Sequence, residues 1–120
     1  MIKINNIKKI KIAIIRNYTV EPLIPIIKKI LNEKRIKTEF FITGYDDYTA
    51  QILNPKSKFN NFKPDILMVF FWLQGFNNDV DHSFNFSNIK DRKIFNKKII
   101  NEIETIIYNC RSNFLGPVLL

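Results

Sequence analysis

Cysteine, histidine and tryptophan each occur once in these 120 residues, and glycine only three times. A single cysteine, Cys110, excludes an intramolecular disulfide and suits a reducing cytoplasm. A single histidine, His82, means that any Ser-His or Cys-His constellation would depend on that one side chain. Asp79 and Asp81 stand beside it in "DVDH", but no second ligand cluster exists to complete a metal site, so neither metal nor cofactor is expected. The shortage of glycine removes another class. Dinucleotide and P-loop sites need glycines so that backbone N–H groups can approach a phosphate, and "RNYTVEP" at 16–22 has none. No apolar run reaches the roughly 18 residues that span a bilayer, so no membrane span is expected. The N-terminal "MIKINNIKKIKIAII" is basic and then apolar, yet no small-residue cleavage site follows and Arg16 and Asn17 interrupt it. It reads as a strand.

What is abundant is lysine, isoleucine and asparagine. Nineteen Lys and Arg against eleven Asp and Glu give a net charge of +8. The lysines are spread along the length, as a codon bias spreads them, and not gathered into one stripe. Net charge speaks to association and not to fold, so nucleic-acid binding is kept only as an alternative.

Apolar spacing alternates between two periods along the chain. "KIAIIR" at 11–16 is a β-branched run of the kind buried on both faces of a sheet. Leu23, Ile26, Ile27, Ile30 and Leu31 then recur at helical spacing, with Lys28, Lys29 and Lys34 on the other side. "KTEFFIT" at 37–43 reads as a second strand nearer an edge. "GYDDYTAQIL" turns into a short helix, and "NPKSKFNNFKP" is a loop whose Phe59 and Phe62 plug the flank of the sheet. "DILMVFFWL" at 65–73 is the most apolar run and the best central strand. A long polar loop follows, then a helix carrying Ile99, Ile100, Ile103, Ile106, Ile107 and Cys110 on one face, with Lys98 and Glu102 paired outside it. "GPVLL" reads as a fourth strand. Such alternation with right-handed crossovers gives an α/β protein, a three-layer α/β/α arrangement with a flavodoxin-like parallel sheet in strand order 2-1-3-4. An apolar strand at Leu120 leaves a hydrophobic edge, which implies a covering partner or a domain incomplete at its C-terminus.

In this topology the loops after the first and third strands open into one crevice at the carboxyl edge. Asn17, Tyr18 and Thr19 follow the first strand, and Gln74 and Asn77 follow the third. Gly44, Tyr45, Asp46 and Tyr48 follow the second. Thr19 either caps the first helix or offers its hydroxyl to the crevice. The Gly44 turn either serves a helix start or lines the site. "DVDH" resembles the Asp-x-Asp of haloacid-dehalogenase phosphotransferases, but five positions separate it from the end of its strand, and a solvated loop is the simpler account. Cys110 on the apolar helix face reads as a core residue.

Taken with their spacing, "RNYTVEPLIP" and "GYDDYTAQILNPKSKFNNFKPDIL" resemble the N-terminal, SGNH-hydrolase-like domain of bacterial FkbH-like proteins, well over residues 10–75 and loosely beyond. Those proteins join this domain to a phosphatase domain of the haloacid-dehalogenase type. The resemblance implies handling of a phosphorylated three-carbon acid and its transfer to an acidic acyl carrier protein. It also places Gly44 at the oxyanion-hole glycine of SGNH hydrolases and Gln74 or Asn77 near their asparagine. The departures are as informative. Where those hydrolases carry Gly-Asp-Ser, this chain has Arg16-Asn17-Tyr18-Thr19, and their Asp-x-x-His base would fall after Leu120. The expectation is therefore a binding domain that is not catalytic alone. An esterase with Thr19 as nucleophile is the alternative.

Overall fold

A computed structural model describes residues 7–72 and 89–120, the side chains of 89–92 excepted. The elements run β1 (Lys8–Arg16), α1 (Leu23–Glu33), β2 (Ile36–Ile42), α2 (Tyr48–Leu53), α3 (Lys58–Phe62), β3 (Ile66–Phe70), α4 (Ile89–Asn113) and β4 (Val118–Leu119). The four strands form one sheet in the order β2-β1-β3-β4, and every pairing is parallel. This is the α/β architecture and the strand order read from the sequence. Residues 73–88, among them Gln74, Asn77, Asp79, Asp81 and His82 of the sequence reading, lie outside the described residues.

The sheet separates two apolar clusters. β1 supplies both, because successive side chains point to opposite faces. Ala13 and Ile15 join Leu67, Val69, Ile52 of α2, Phe59 of α3, and Ile106 and Cys110 of α4 on one face. Ile12 and Ile14 join Val20 on the other, with Ile24 and Leu31 of α1 packed against them. Complete burial of an isoleucine side chain contributes about 1.5–3 kcal/mol, which makes Ile12, Ile14 and Ile15 the backbone of the fold.

Five local readings change. Residues 58–62 are a helix and not a loop, because the Ser57 hydroxyl accepts the N–H of Asn60 at 3.1 Å and caps the turn. Thr19 does not cap α1. Pro22 holds the cap position without a side-chain hydrogen bond, and the turn closes on itself through Leu23 N–H to the Val20 carbonyl at 2.9 Å. The apolar stripe of α1 is also split. Ile24, Ile27 and Leu31 are half-buried, whereas Leu23, Ile26 and Ile30 are exposed. On α4, Ile99, Ile106 and Cys110 are buried but Ile100 is exposed, and no ion pair joins Lys98 to Glu102 among the described residues.

α1 is capped at Lys34 and followed by Arg35, whose φ of 61° lies in the left-handed region where glycine is the usual residue. Its N–H still reaches the Asn32 carbonyl at 2.9 Å. Arg35→Gly is expected to stabilise the protein by about 0.5–1 kcal/mol, since the arginine Cβ opposes that conformation. Phe59→Ala should cost about 3–5 kcal/mol, because the ring is enclosed. Urea unfolding of the two variants tests both values.

Candidate functional site

β1, β2 and β3 all end at one edge of the sheet, and side chains from the end of β1 and the β1–α1 connection organise it. Arg16 pairs with Phe70 in the register of β1 and β3. Its guanidinium is buried and donates Nε–H to the Thr43 carbonyl at 2.8 Å, just beyond β2. The two terminal nitrogens take both oxygens of Glu21, at 2.8 and 2.7 Å. A planar guanidinium matches a carboxylate in this two-point way, which fixes the loop as well as the charge. The ring of Tyr45 lies across the guanidinium with 4.2 Å from Cζ to the ring centroid.

Asn17 performs a second fastening. Its amide Nδ2–H donates to the Trp72 carbonyl at 2.7 Å, and its Oδ1 accepts the Trp72 N–H at 2.6 Å. The loops after β1 and β3 are thereby joined by one side chain acting as a short stretch of strand. Tyr18 sits edge-on to Phe70 and Trp72, with centroids 6.4 and 6.3 Å away. Thr19 is exposed, and its hydroxyl is 2.9 Å from the Tyr45 hydroxyl.

Gly44 has a steric reason that does not involve its backbone angles. A Cβ there would stand 2.9 Å from Oδ1 of Asp47, so glycine lets that carboxylate pack against the chain. The Thr43 hydroxyl and Asp47 Oδ1 are both buried without a hydrogen-bond partner among the described residues. Asp47 Oδ2 accepts from Gln51 at 3.4 Å, and Gln51 in turn accepts the Phe59 N–H at 3.1 Å through Oε1. Gln51 is thus a joint between α2 and α3.

Of the residues expected in the crevice, Asn17, Tyr18, Thr19, Gly44 and Tyr45 come together at the edge. Asp46 is exposed on the same turn. Tyr48 is drawn away: its ring packs on Phe71 at 5.0 Å within the cluster under α2 and α4. Burial, then the negative charges of Glu102 and Asp46, push its phenol above the ordinary value. Arg16 and Glu21 are the residues that sequence reasoning undervalued. A lone arginine closing an apolar strand, five positions before a glutamate, was the available signal.

The electrostatics follow from this pairing. Hydrogen bonding to Arg16 holds the Glu21 carboxyl below its ordinary 4.5. No group of three or more His, Cys, Asp or Glu side chains is placed to hold a metal among the described residues, and none of their helices is long and apolar enough to cross a membrane. The lysines, spread along the sequence, do gather in space. Lys9, Lys11, Lys37 and Lys63 surround a groove of about 290 Å³ at the opposite edge of the sheet, together with Glu39 and Asp65. Two of those groups are already engaged: Lys11 donates through Nζ to the Phe62 carbonyl at 3.3 Å, and Asp65 accepts the Lys11 N–H at 2.8 Å.

No protein-family model matches the sequence, and no curated protein matches it. A similar solved structure is the N-terminal part of the protein BF1531 from Bacteroides fragilis, which contains a phosphatase domain and is complexed with Mg. It superposes with a TM-score of 0.64 at 18% identity, over 93% of this chain and 28% of that one. At this identity the likeness establishes the fold, and the chain spans about 28% of the length of the protein it matches.

Two measurements test this account of the site. Because the Glu21 carboxyl is lowered in the folded protein, its contribution is complete above the unfolded value near 4.5 and lost as pH falls through the folded value. The midpoint difference between wild type and Glu21→Gln should therefore be largest near neutrality and shrink in acid. Asn17→Ala should cost about 1–3 kcal/mol, having removed both bonds of the clasp. A matching blue shift of Trp72 fluorescence is not expected, and a red shift is.

Proposed function

We propose that this chain is an FkbH-type, SGNH-like domain that binds and does not itself turn over substrate. In this reading its carboxyl-edge crevice receives a phosphorylated three-carbon acid, or the acyl group derived from it. It works with a phosphatase domain of the haloacid-dehalogenase type and with an acidic acyl carrier protein. Three lines support it. The segments that resemble the FkbH-like family are the ones that build the crevice, through Arg16, Asn17, Thr19, Gly44 and Tyr45. The similar Bacteroides fragilis structure contains a phosphatase domain. The charge of +8 suits an acidic partner, through steering of the encounter.

The observation that carries the non-catalytic part is the partner of Thr19. Its hydroxyl meets the phenol of Tyr45. A phenol O–H is a hydrogen-bond donor and weak acceptor, not a base that takes a proton from a threonine. The nearby carboxylate of Glu21 is committed to Arg16. An unactivated hydroxyl is a poor nucleophile, so the Thr19–Tyr45 pair is a hydrogen-bonding platform.

No hydrolysis of p-nitrophenyl acetate above buffer is expected, and Thr19→Ala should change nothing. Turnover that this variant abolishes would establish the esterase reading instead. An acidic carrier protein should bind with an affinity that falls as salt rises, and binding that is indifferent to salt would remove the steering argument.

A further inference from the structure

β2 is the outermost strand of the sheet, and one side of it has no partner among the described strands. The bonds to β1 decide which of its backbone groups stay open. Lys8 donates its N–H to the Arg35 carbonyl at 3.2 Å, and Thr43 donates its N–H to the Ile14 carbonyl at 3.0 Å. Backbone groups alternate in direction along a strand, so residues 35, 37, 39, 41 and 43 bond toward β1. Ile36, Thr38 and Phe40 turn their N–H and C=O groups outward. That row is a template for one more strand.

A groove of about 510 Å³ follows the row at the amino end of β2. Ile36, Lys37 and Thr38 form one side of it. Pro25, Lys28, Lys29 and Asn32 form the other, and their spacing makes them a single stripe of α1. No residue of β1 lines the groove, which therefore opens on the outer side of β2. Extended peptides are bound in this way elsewhere, with backbone pairing for affinity and side chains for choice.

Charge decides which peptide fits. Lys28, Lys29 and Lys37 are exposed and have no ion pair among the described residues. Lys28 lies beside the open edge, with Nζ 5.8 Å from the centroid of the Phe40 ring. Lys37 also lines the second groove, with Lys9, Lys11 and Lys63, so the positive field continues round the edge to the other face of β2. Only Glu39 and Asp65 stand against these cations there, and Asp65 already accepts the Lys11 N–H. A lysine on an edge strand discourages pairing between like chains, and a second copy would bring the same cations. Residues 1–6 bring Lys3 and no carboxylate.

We infer that the outer edge of β2 binds an extended acidic segment of another protein, which joins the sheet as a further strand. Its backbone pairs with Ile36, Thr38 and Phe40. Its carboxylates alternate, because those on the α1 side meet Lys28 and Lys29 and avoid Glu39 on the opposite face. The site lies at the other end of the sheet from the crevice and does not depend on what the crevice receives.

The test is titration of the full chain with a peptide of about ten residues alternating Glu and Thr, up to about 1 mM. At saturation, amide exchange at Ile36, Thr38 and Phe40 should slow by about tenfold or more, while Lys37 and Glu39, already bonded to β1, change little. Lys28→Glu and Lys29→Glu should each weaken binding by about tenfold, with circular dichroism unchanged because both positions are exposed. Lys58→Glu on α3 alters the net charge equally and should leave the affinity as it is. The same peptide N-methylated throughout keeps its charges, loses its donors and should bind at least about tenfold more weakly. A peptide that does not bind, or that binds equally well when N-methylated, overturns the inference. So does unaltered exchange at the three edge amides, or an oligothymidylate of equal charge that binds as tightly as the peptide.

Discussion

A buried cation at the end of a central strand sets the terms for the rest of this edge. Arg16 cannot leave water without a counter-charge and hydrogen bonds, because an unpaired ion in the interior is far costlier than any single packing contact. Its needs are met from three directions: the Thr43 carbonyl after β2, the Glu21 carboxylate before α1, and the face of Tyr45. The partners belong to two connections, Glu21 to β1–α1 and both Thr43 and Tyr45 to β2–α2. Satisfying one guanidinium therefore fixes where β2 hands over to its loop and where α1 begins. It also fixes the height at which the Tyr45 hydroxyl meets Thr19. Such a pair adds little net stability against apolar packing, but it permits one arrangement of the loops in place of many.

Asn17 complements this by joining β1 to β3, and together the two residues turn an edge of loops into a defined surface. The division of labour is chemical. Charge holds the β2 side, and an amide that imitates backbone holds the β3 side. The hydroxyl pair left exposed between them offers donors and acceptors but no base, which suits recognition better than proton transfer.

Much of this fold was legible because its strongest signals are one-dimensional. The run Ile12–Ile15 and the run Ile66–Phe70 can only be central strands, and the helical spacing between them forces parallel crossovers. From those facts the strand order and the meeting of the Asn17, Gly44 and Trp72 connections follow. What was not legible depended on contacts distant in sequence. Ser57 reads as loop composition until its hydroxyl is seen to cap α3. Leu23, Ile26 and Ile30 share the helical period of the residues that are covered, and only the width of the sheet beneath α1 decides which are left open. Thr19 reads either as a cap or as a crevice hydroxyl from its place before the first helix, and Tyr45, twenty-six residues on, claims its hydroxyl. Tyr48 reads with its neighbours in sequence but is governed by Phe71, just beyond β3 on the same face of the sheet.

Cys110 offers a consequence of a different kind. Its sulfur is enclosed among β1, β3 and α3, and burial pushes the thiol up to about 11. An alkylating reagent can reach it only when α4 lifts from the sheet, and every such excursion exposes the same atom. The rate at which this lone sulfhydryl is modified under native conditions is thus a clock for the breathing of the longest helix. The molecule carries its own reporter at the seam that holds its two halves of chain together.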